Sequence, residues 1–260
     1  MAISSAPISV SMHDRVSAEE WEARVQLAAC YRLIAKYGMT DLIYNHITAR
    51  VPGEEGHVLI NSYGMLYEEM TASSLIKIDL DGNVKDDPGT GYGVNQAGYV
   101  IHGAVHRGRP DVSCVLHTHS RASMAVSMME CGFLPLSQHA MRFYGHVGYH
   151  EYEGIALDLD ERQRLIADLG EHNVLFLRNH GLLVCGRTVA ETFNIAYWVE
   201  MACKAQVDAM NAQTELHFPT EEVMKKTAYL YEPSTRRSYG EMEWAAMLRL
   251  LEREGANYAM

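Results

Sequence analysis

Several features are scarce in this 260-residue chain, and each scarcity removes a class of function. No apolar run approaches the ~20 residues a membrane-spanning helix needs, so no membrane partner is expected. Lys and Arg number 22 against 33 Asp and Glu, a net charge of −11 with no basic stripe, so no nucleic-acid partner is expected either. Met1–Ser11 lacks a basic start and a long apolar stretch, and reads as no secretion signal. No internal period and no low-complexity tract appear. The five cysteines (Cys30, Cys114, Cys131, Cys185 and Cys203) are odd in number and sit mostly in apolar settings. They read as reduced core residues, hence a cytoplasmic protein. What is present is ordinary: 48% apolar and 21% charged residues, enough for a large core.

Along the chain, residues 1–16 read as an N-terminal arm. Ser17-Ala-Glu-Glu20 is a capping box, and Trp21, Val25, Ala28, Ala29 and Leu33 follow at helical spacing up to Gly38. Strands are expected over Leu42–Val51, His57–Asn61 and Leu75–Leu80, the last turning at Asp81-Gly82. A loop around Pro88 leads to a helix over Asn95–Arg107 closed by Gly108. Cys114–Leu116 reads as a buried strand, Arg121–Glu130 as a short helix, and Phe133–Leu136, Val147–Tyr149 and Gly154–Ala156 as strands or extended loop. A helix over Asp158–Asp168 precedes another apolar strand, which ends on His180 and returns as Leu182–Cys185. Thr188-Val-Ala-Glu191 opens a long helix to Asn211, and residues 212–260 form a helical extension ending with Glu241–Glu252. With no linker between these pieces, one α/β domain over 1–260 is expected, helices covering a central sheet.

The chemistry concentrates in Val112-Ser-Cys-Val-Leu-His117-Thr-His119-Ser120. Residues two apart on a strand point the same way, so His117 and His119 project together, roughly 6.5–7 Å apart at the backbone. Random placement of 13 histidines gives about 0.6 such pairs, so the pair alone says little. Asn173-Val-Leu-Phe-Leu-Arg-Asn-His180-Gly181 supplies a third histidine at a second strand end. Three protein ligands with one position left for substrate is the pattern of a catalytic metal centre, against ordinary packed or surface histidines. Cys114 and Cys185 lie near it, but their neighbours point to core packing.

These residues resemble the class II aldolase/adducin family from about Trp21 to about Val207. The resemblance is carried by Asn95-Gln-Ala-Gly-Tyr-Val-Ile-His102, Arg109-Pro-Asp111, His117-Thr-His119 and Arg178-Asn-His180-Gly181, and is nearer in wording to the adducin-like bacterial branch. It implies a three-layer α/β/α fold around a mostly antiparallel sheet, usually a homotetramer with the active site at a subunit boundary. It also implies one divalent ion per chain on His117, His119 and His180, zinc or manganese before iron or cobalt. The sugar-phosphate aldolases of the family place a catalytic glutamate nineteen residues before the first metal histidine. Here that position is Gly98, and no carboxylate stands there. Their phosphate-binding positions are changed as well: Asn61-Ser-Tyr-Gly64 and Asn95-Gln96-Ala97 stand in those loops. The tyrosine that aldolases supply from a neighbouring subunit aligns with His139, close to Tyr144.

An ion on three neutral histidines keeps its charge and suits a bidentate hydroxy- or keto-acid. Loss of CO2 needs that electron sink and an acid to protonate carbon, while aldol cleavage also needs a base. The reading is therefore a metal-dependent carbon–carbon lyase, a decarboxylase of a small hydroxylated carboxylic acid, aromatic acids included. The rivals are an aldolase on a sugar or hydroxy-acid, phosphorylated or not, a mononuclear iron oxygenase, and a non-catalytic adducin-like scaffold. His139, Tyr144 and His102 are the candidate acid–base residues, and Asn45, Gly64, Gln96 and Arg142 the candidate substrate contacts. His106, four residues after His102, reads as a packed histidine, and His46 beside Asn45 as a residue that could line the pocket.

Overall fold

The computed structural model describes residues 11–154 and 159–260, without the side chains of residues 96, 97, 159 and 160. Ser17 caps α1 (Ala18–Lys36), its hydroxyl accepting the Glu20 N–H at 3.1 Å. Four antiparallel strands follow: β1 (His46–Arg50), β2 (His57–Ile60), β3 (Ile76–Asp79) and β4 (Val84–Asp86). The turn between β3 and β4 needs glycine twice over, because Gly82 has φ 86° and a Cβ there would strike the Tyr99 ring. Then come α2 (Gln96–Gly108), β5 (Cys114–Thr118), α3 (Arg121–Ser127), α4 (Gln138–Met141), β6 (Val147–His150) and α5 (Leu159–Leu169). β7 (Val174–Leu177) and β8 (Gly181–Gly186) form a hairpin. Thr188 caps α6 (Val189–Asn211) through the Glu191 N–H, and α7 (Glu221–Tyr231) and α8 (Glu241–Arg253) complete the chain.

The eight strands lie in the order β4-β3-β2-β1-β5-β8-β7-β6, and only β6 and β7 run parallel. Alternation along the central strands divides the core. Cys114, Leu116, Phe176, Leu182 and Val184 join Leu27, Tyr31 and Leu33 of α1 and Val199 of α6 on one face. Val115, Leu175, Leu183 and Cys185 join Val105 of α2 and Leu165 of α5 on the other. This is the three-layer α/β/α arrangement expected. Each Leu or Phe so buried contributes up to about 1.5–3 kcal/mol.

Some boundaries differ from expectation. The strand expected from Leu42 starts at His46, because Leu42 has φ 50° and the Tyr44 N–H bonds the Asp41 carbonyl, which makes 41–44 a turn. The arm is anchored from its eleventh residue onward: Met12 is fully buried with its N–H on Ser73 Oγ, and Arg15 pairs with Asp86. Residues 1–10 lie outside the described residues, as do 155–156 of the stretch expected to be extended and 158 of the following helix. Phe133–Leu136 is loop: the Phe133 and Leu134 N–H groups are taken by the Tyr149 and Gln206 side chains and the Leu136 N–H by the Leu134 carbonyl, not by a neighbouring strand. Cys131 is exposed, and the other four cysteines are buried and unpaired. No helix among the described residues is long and apolar enough to cross a membrane.

Candidate metal centre

The β1–β5 register sets His46 opposite His117, and β8 flanks β5 on its other side. His117 thus stands in the middle of the sheet, and its Nδ1 donates to the Leu182 carbonyl of β8 at 3.0 Å. His119 lies just beyond β5, with Nδ1 2.9 Å from Asp41 Oδ2 in the turn before β1. His180 sits in the β7–β8 turn, after Asn179 in the left-handed region at φ 56°, which asparagine tolerates better than most residues. A Cβ on Gly181 would collide with the Thr118 carbonyl, so glycine lets this turn close onto β5.

The result is three imidazoles with their Nε2 atoms together. His117 Nε2 is 2.8 Å from His119 Nε2, which is 3.0 Å from His180 Nε2, and all three ligand atoms lie within 4.8 Å of one another. With Nδ1–H committed to Leu182 and Asp41, the Nε2 atoms of His117 and His119 turn lone pairs toward each other, an arrangement that a cation satisfies. Burial, then the neighbouring imidazoles of His46, His180 and His119, hold His117 well below the usual histidine range. Burial and the neighbouring His119 bring His180 down to about 4. Neutral rings with fixed tautomers are what a divalent ion requires, so the donor set fits such an ion.

The histidines open on a cleft of about 430 Å³ whose wall also includes Asp41, Tyr44, His46, Tyr63, Asn95 and Tyr152. No Lys or Arg lines it among the described residues. Next to Tyr44, Asn45 is buried with neither amide atom hydrogen-bonded among the described residues. Asn45, expected to contact substrate, is not among the residues that line the cleft.

Behind His46 lies a second polar cluster. His46 Nδ1 is 2.9 Å from His102 Nε2, while Thr48 Oγ1 is 2.8 Å from both His102 Nδ1 and His106 Nε2. All four side chains are buried. Two periodicities meet here. His46, Thr48 and Arg50 share a face of β1, and Gly98, His102 and His106 share a stripe of α2, two strand residues spanning about the same length as one helical turn.

The other expected site residues fall as follows. His102 belongs to the second cluster and meets the cleft only through His46. Gly64, at φ 112° against the Tyr92 ring, adjoins the cleft residue Tyr63. The Gln96 side chain lies outside the described residues. Within one chain, His139, Tyr144 and Arg142 are not brought to the histidines. His139 stacks on Trp198 with ring centroids 4.1 Å apart, and Tyr144 follows α4 beside it. Arg142 lies among the rings of Trp198, Tyr231 and Tyr239 and donates to Asn194 Oδ1 at 3.2 Å. Burial lowers its pKa, and no carboxylate hydrogen-bonds it among the described residues. Aromatic faces from α6 onward therefore occupy the guanidinium expected to hold a substrate carboxylate. Sequence reasoning missed Asp41, Tyr152 and Thr48. Asp41 sits in a turn read as the approach to a strand, Tyr152 in a loop, and only Thr48, two residues after His46, carries a periodic signal.

Comparison with known proteins agrees with this geometry. A solved aldolase II superfamily protein from Pseudomonas syringae superposes with a TM-score of 0.90 at 49% identity, covering 96% of this chain and 100% of that one. L-fuculose 1-phosphate aldolase from Glaciozyma antarctica PI12 superposes with a TM-score of 0.81 at 26% identity, covering 93% of each. Alpha-adducin of Rattus norvegicus is 47% identical over 185 residues, which are 71% of this chain and 25% of that protein. The family model for the class II aldolase and adducin N-terminal domain matches residues 25–207. With most of its length matched, three-layer fold included, the chain belongs to the class II aldolase and adducin family.

Proposed function

We propose that the protein is a divalent-metal-dependent carbon–carbon lyase acting on a small hydroxylated carboxylic acid, with loss of CO2 as its reaction. The observation that carries this reading is the set of three converged Nε2 atoms, two of them on imidazoles whose Nδ1 is held by Leu182 and Asp41. His117, His119 and His180 would hold one ion, zinc or manganese by donor type, with iron and cobalt compatible. When bound, such an ion supplies Lewis-acid polarisation of a bidentate oxygen ligand. The chain's own residues do the rest. Asp41 and the Leu182 carbonyl orient two rings. Tyr44, Tyr63 and Tyr152 give the cleft walls that suit a planar or short substrate. In the reaction the carboxyl carbon leaves as CO2, its bonding electrons stay on the substrate carbon, and that carbon takes a proton.

The absence of Lys and Arg from the described cleft wall supports an unphosphorylated substrate. The same reading has a homotetramer in which a neighbouring copy completes the site, bringing His139 and Tyr144 of one chain to the cleft of another as proton donors. The exposed Tyr44 and Tyr152 in the cleft wall support this. Aldol cleavage is the second reading, favoured by the likeness to L-fuculose 1-phosphate aldolase. The test is to incubate zinc- or manganese-loaded protein with a panel of hydroxylated aliphatic and aromatic carboxylic acids, and separately with L-fuculose 1-phosphate. CO2 release that disappears in His117→Ala is expected. Efficient cleavage of the sugar phosphate, with no acid decarboxylated, would replace this reading with the aldolase.

A further inference from the structure

Beside the metal centre lies a group of buried titratable side chains that the proposed reaction leaves unused. In β6, Gly148 and His150 face α5, and a Cβ on Gly148 would strike the Asp168 carbonyl, so the end of the helix lies directly on the strand. There His150 Nδ1 donates to Asp168 Oδ2 at 2.7 Å. Two helical turns earlier on the same face of α5, Glu161 places Oε1 3.7 Å from His150 Nε2, beyond hydrogen-bond reach. β6 runs parallel to β7 with His150 opposite Leu177, three residues before His180. The small chamber walled by His150, Glu161 and Leu165 therefore adjoins the metal centre, and Tyr152, Gly154 and His180 line both it and the cleft.

Two polar groups of this chamber are enclosed without partners. His150 is 4% exposed and its Nε2 makes no hydrogen bond, while Glu161 is 8% exposed and its carboxylate accepts none among the described residues. Buried polar groups ordinarily carry partners, so the pair points to a ligand group.

The sign of that group follows from the charges. Glu151, Glu153, Glu161 and Asp168 gather four carboxylates around the chamber. Two guanidiniums answer them, Arg164 on Glu153 and Arg178 4.0 Å from Glu151. Arg178 is further taken up by the Met129 carbonyl and the Tyr149 ring. The balance among the described residues stays negative whether His150 is neutral or charged, and no Lys or Arg pairs with Glu161. The size follows from the volume: about 10 Å³ takes one water-sized group, and an ammonium is of that size.

We propose that this chamber is a subsite for an ammonium group of the molecule held at His117, His119 and His180, with Glu161 as the counter-ion, so that the ligand class is a small hydroxy-acid that also carries an amine. This rests on the oxy-acid reading given above and narrows it. Asp168 holds His150 as a wall of the subsite, and Glu161 supplies the charge that selects the ligand.

The test is calorimetry on zinc-loaded protein with pairs of probes that differ only at the far end: isoserine against glycerate, and the homologues of each that are one carbon longer. The ammonium member is expected to bind about tenfold more tightly in at least one pair, the effect of one charge-assisted hydrogen bond. Glu161→Gln keeps the shape and removes no hydrogen bond of the fold. It is expected to erase that preference, to leave the hydroxyl members within about twofold, and to leave zinc content unchanged. No preference in either pair, a preference that survives Glu161→Gln, or loss of zinc in that variant would overturn the proposal and leave the oxy-acid reading standing where glycerate still binds the wild type. Wild-type protein that holds zinc but binds no probe would overturn the oxy-acid reading itself and this proposal with it.

Discussion

Asp41 does for His119 what the Leu182 carbonyl does for His117: each accepts the Nδ1–H and so turns Nε2 toward the centre. Partners of this kind typically change metal affinity by about 10–100-fold. Asp41→Ala is accordingly expected to weaken zinc binding by that factor with the fold intact, as measured by competition with a chromophoric chelator. Unaltered affinity would mean that the carboxylate is only a surface neighbour. The three histidines were legible in the sequence because a strand's period of two and a histidine before a turn glycine each constrain where a side chain points. Asp41 was not, since it lies 78 residues before His119 and the contact is made by folding alone. His139 and Arg142 show the converse. Alignment marks His139 and guanidinium chemistry marks Arg142 as site residues, but within the chain their contacts are Trp198 and the aromatic rings around it.

At the level of elements, the centre depends on how closely β8 and α3 approach β5. Gly181 allows the β7–β8 turn to close on Thr118, and Gly181→Ala is expected to cost about 1–3 kcal/mol by urea denaturation as the turn carrying His180 is pushed outward. An alanine variant as stable as wild type would show that the contact relaxes without strain. Just after His119, the start of α3 is held from α6 by the buried Glu200. This carboxylate accepts from Ser120 Oγ at 2.6 Å and from the Ser123 N–H at 3.2 Å, with Lys204 3.6 Å away. Glu200→Ala removes the acceptor of the buried Ser123 N–H and leaves Ser120 Oγ with Ser123 Oγ as its partner, so a loss of about 1–3 kcal/mol is expected in the same experiment. Helix starts were readable where a side chain caps them, at Ser17 and Thr188, because the signal is local. The start of β1 was not readable. Leu-Ile-Tyr at 42–44 has the composition of a strand, but the chain turns there, with Leu42 at φ 50° and the Tyr44 N–H on the Asp41 carbonyl, and the turn holds Asp41 at His119.

For the molecule as a whole, the buried histidines couple folding to pH. His46, His102, His106 and His117 are fully enclosed, and burial is the largest cause of the lowered pKa of each, with His106 at about 3. An unfolded histidine takes its proton near pH 6.5, whereas these resist until much lower pH. Below about 6.5 the unfolded chain therefore binds more protons, and stability falls as pH drops, by about 1.4 kcal/mol per pH unit for each histidine. Above about 7 this histidine contribution should be flat. Urea midpoints of the metal-free protein between pH 7.5 and 5.5 check this, and a midpoint that does not move would show that the rings accept protons in the fold. Metal content per chain shows whether His117, His119 and His180 hold an ion. Protein purified without chelator, and after reconstitution with zinc or manganese, is compared with His117→Ala by elemental mass spectrometry. About one divalent ion per chain, lost in the variant, is the result expected. Wild-type protein that retains no ion after reconstitution would contradict the enzyme reading and leave an adducin-like scaffold.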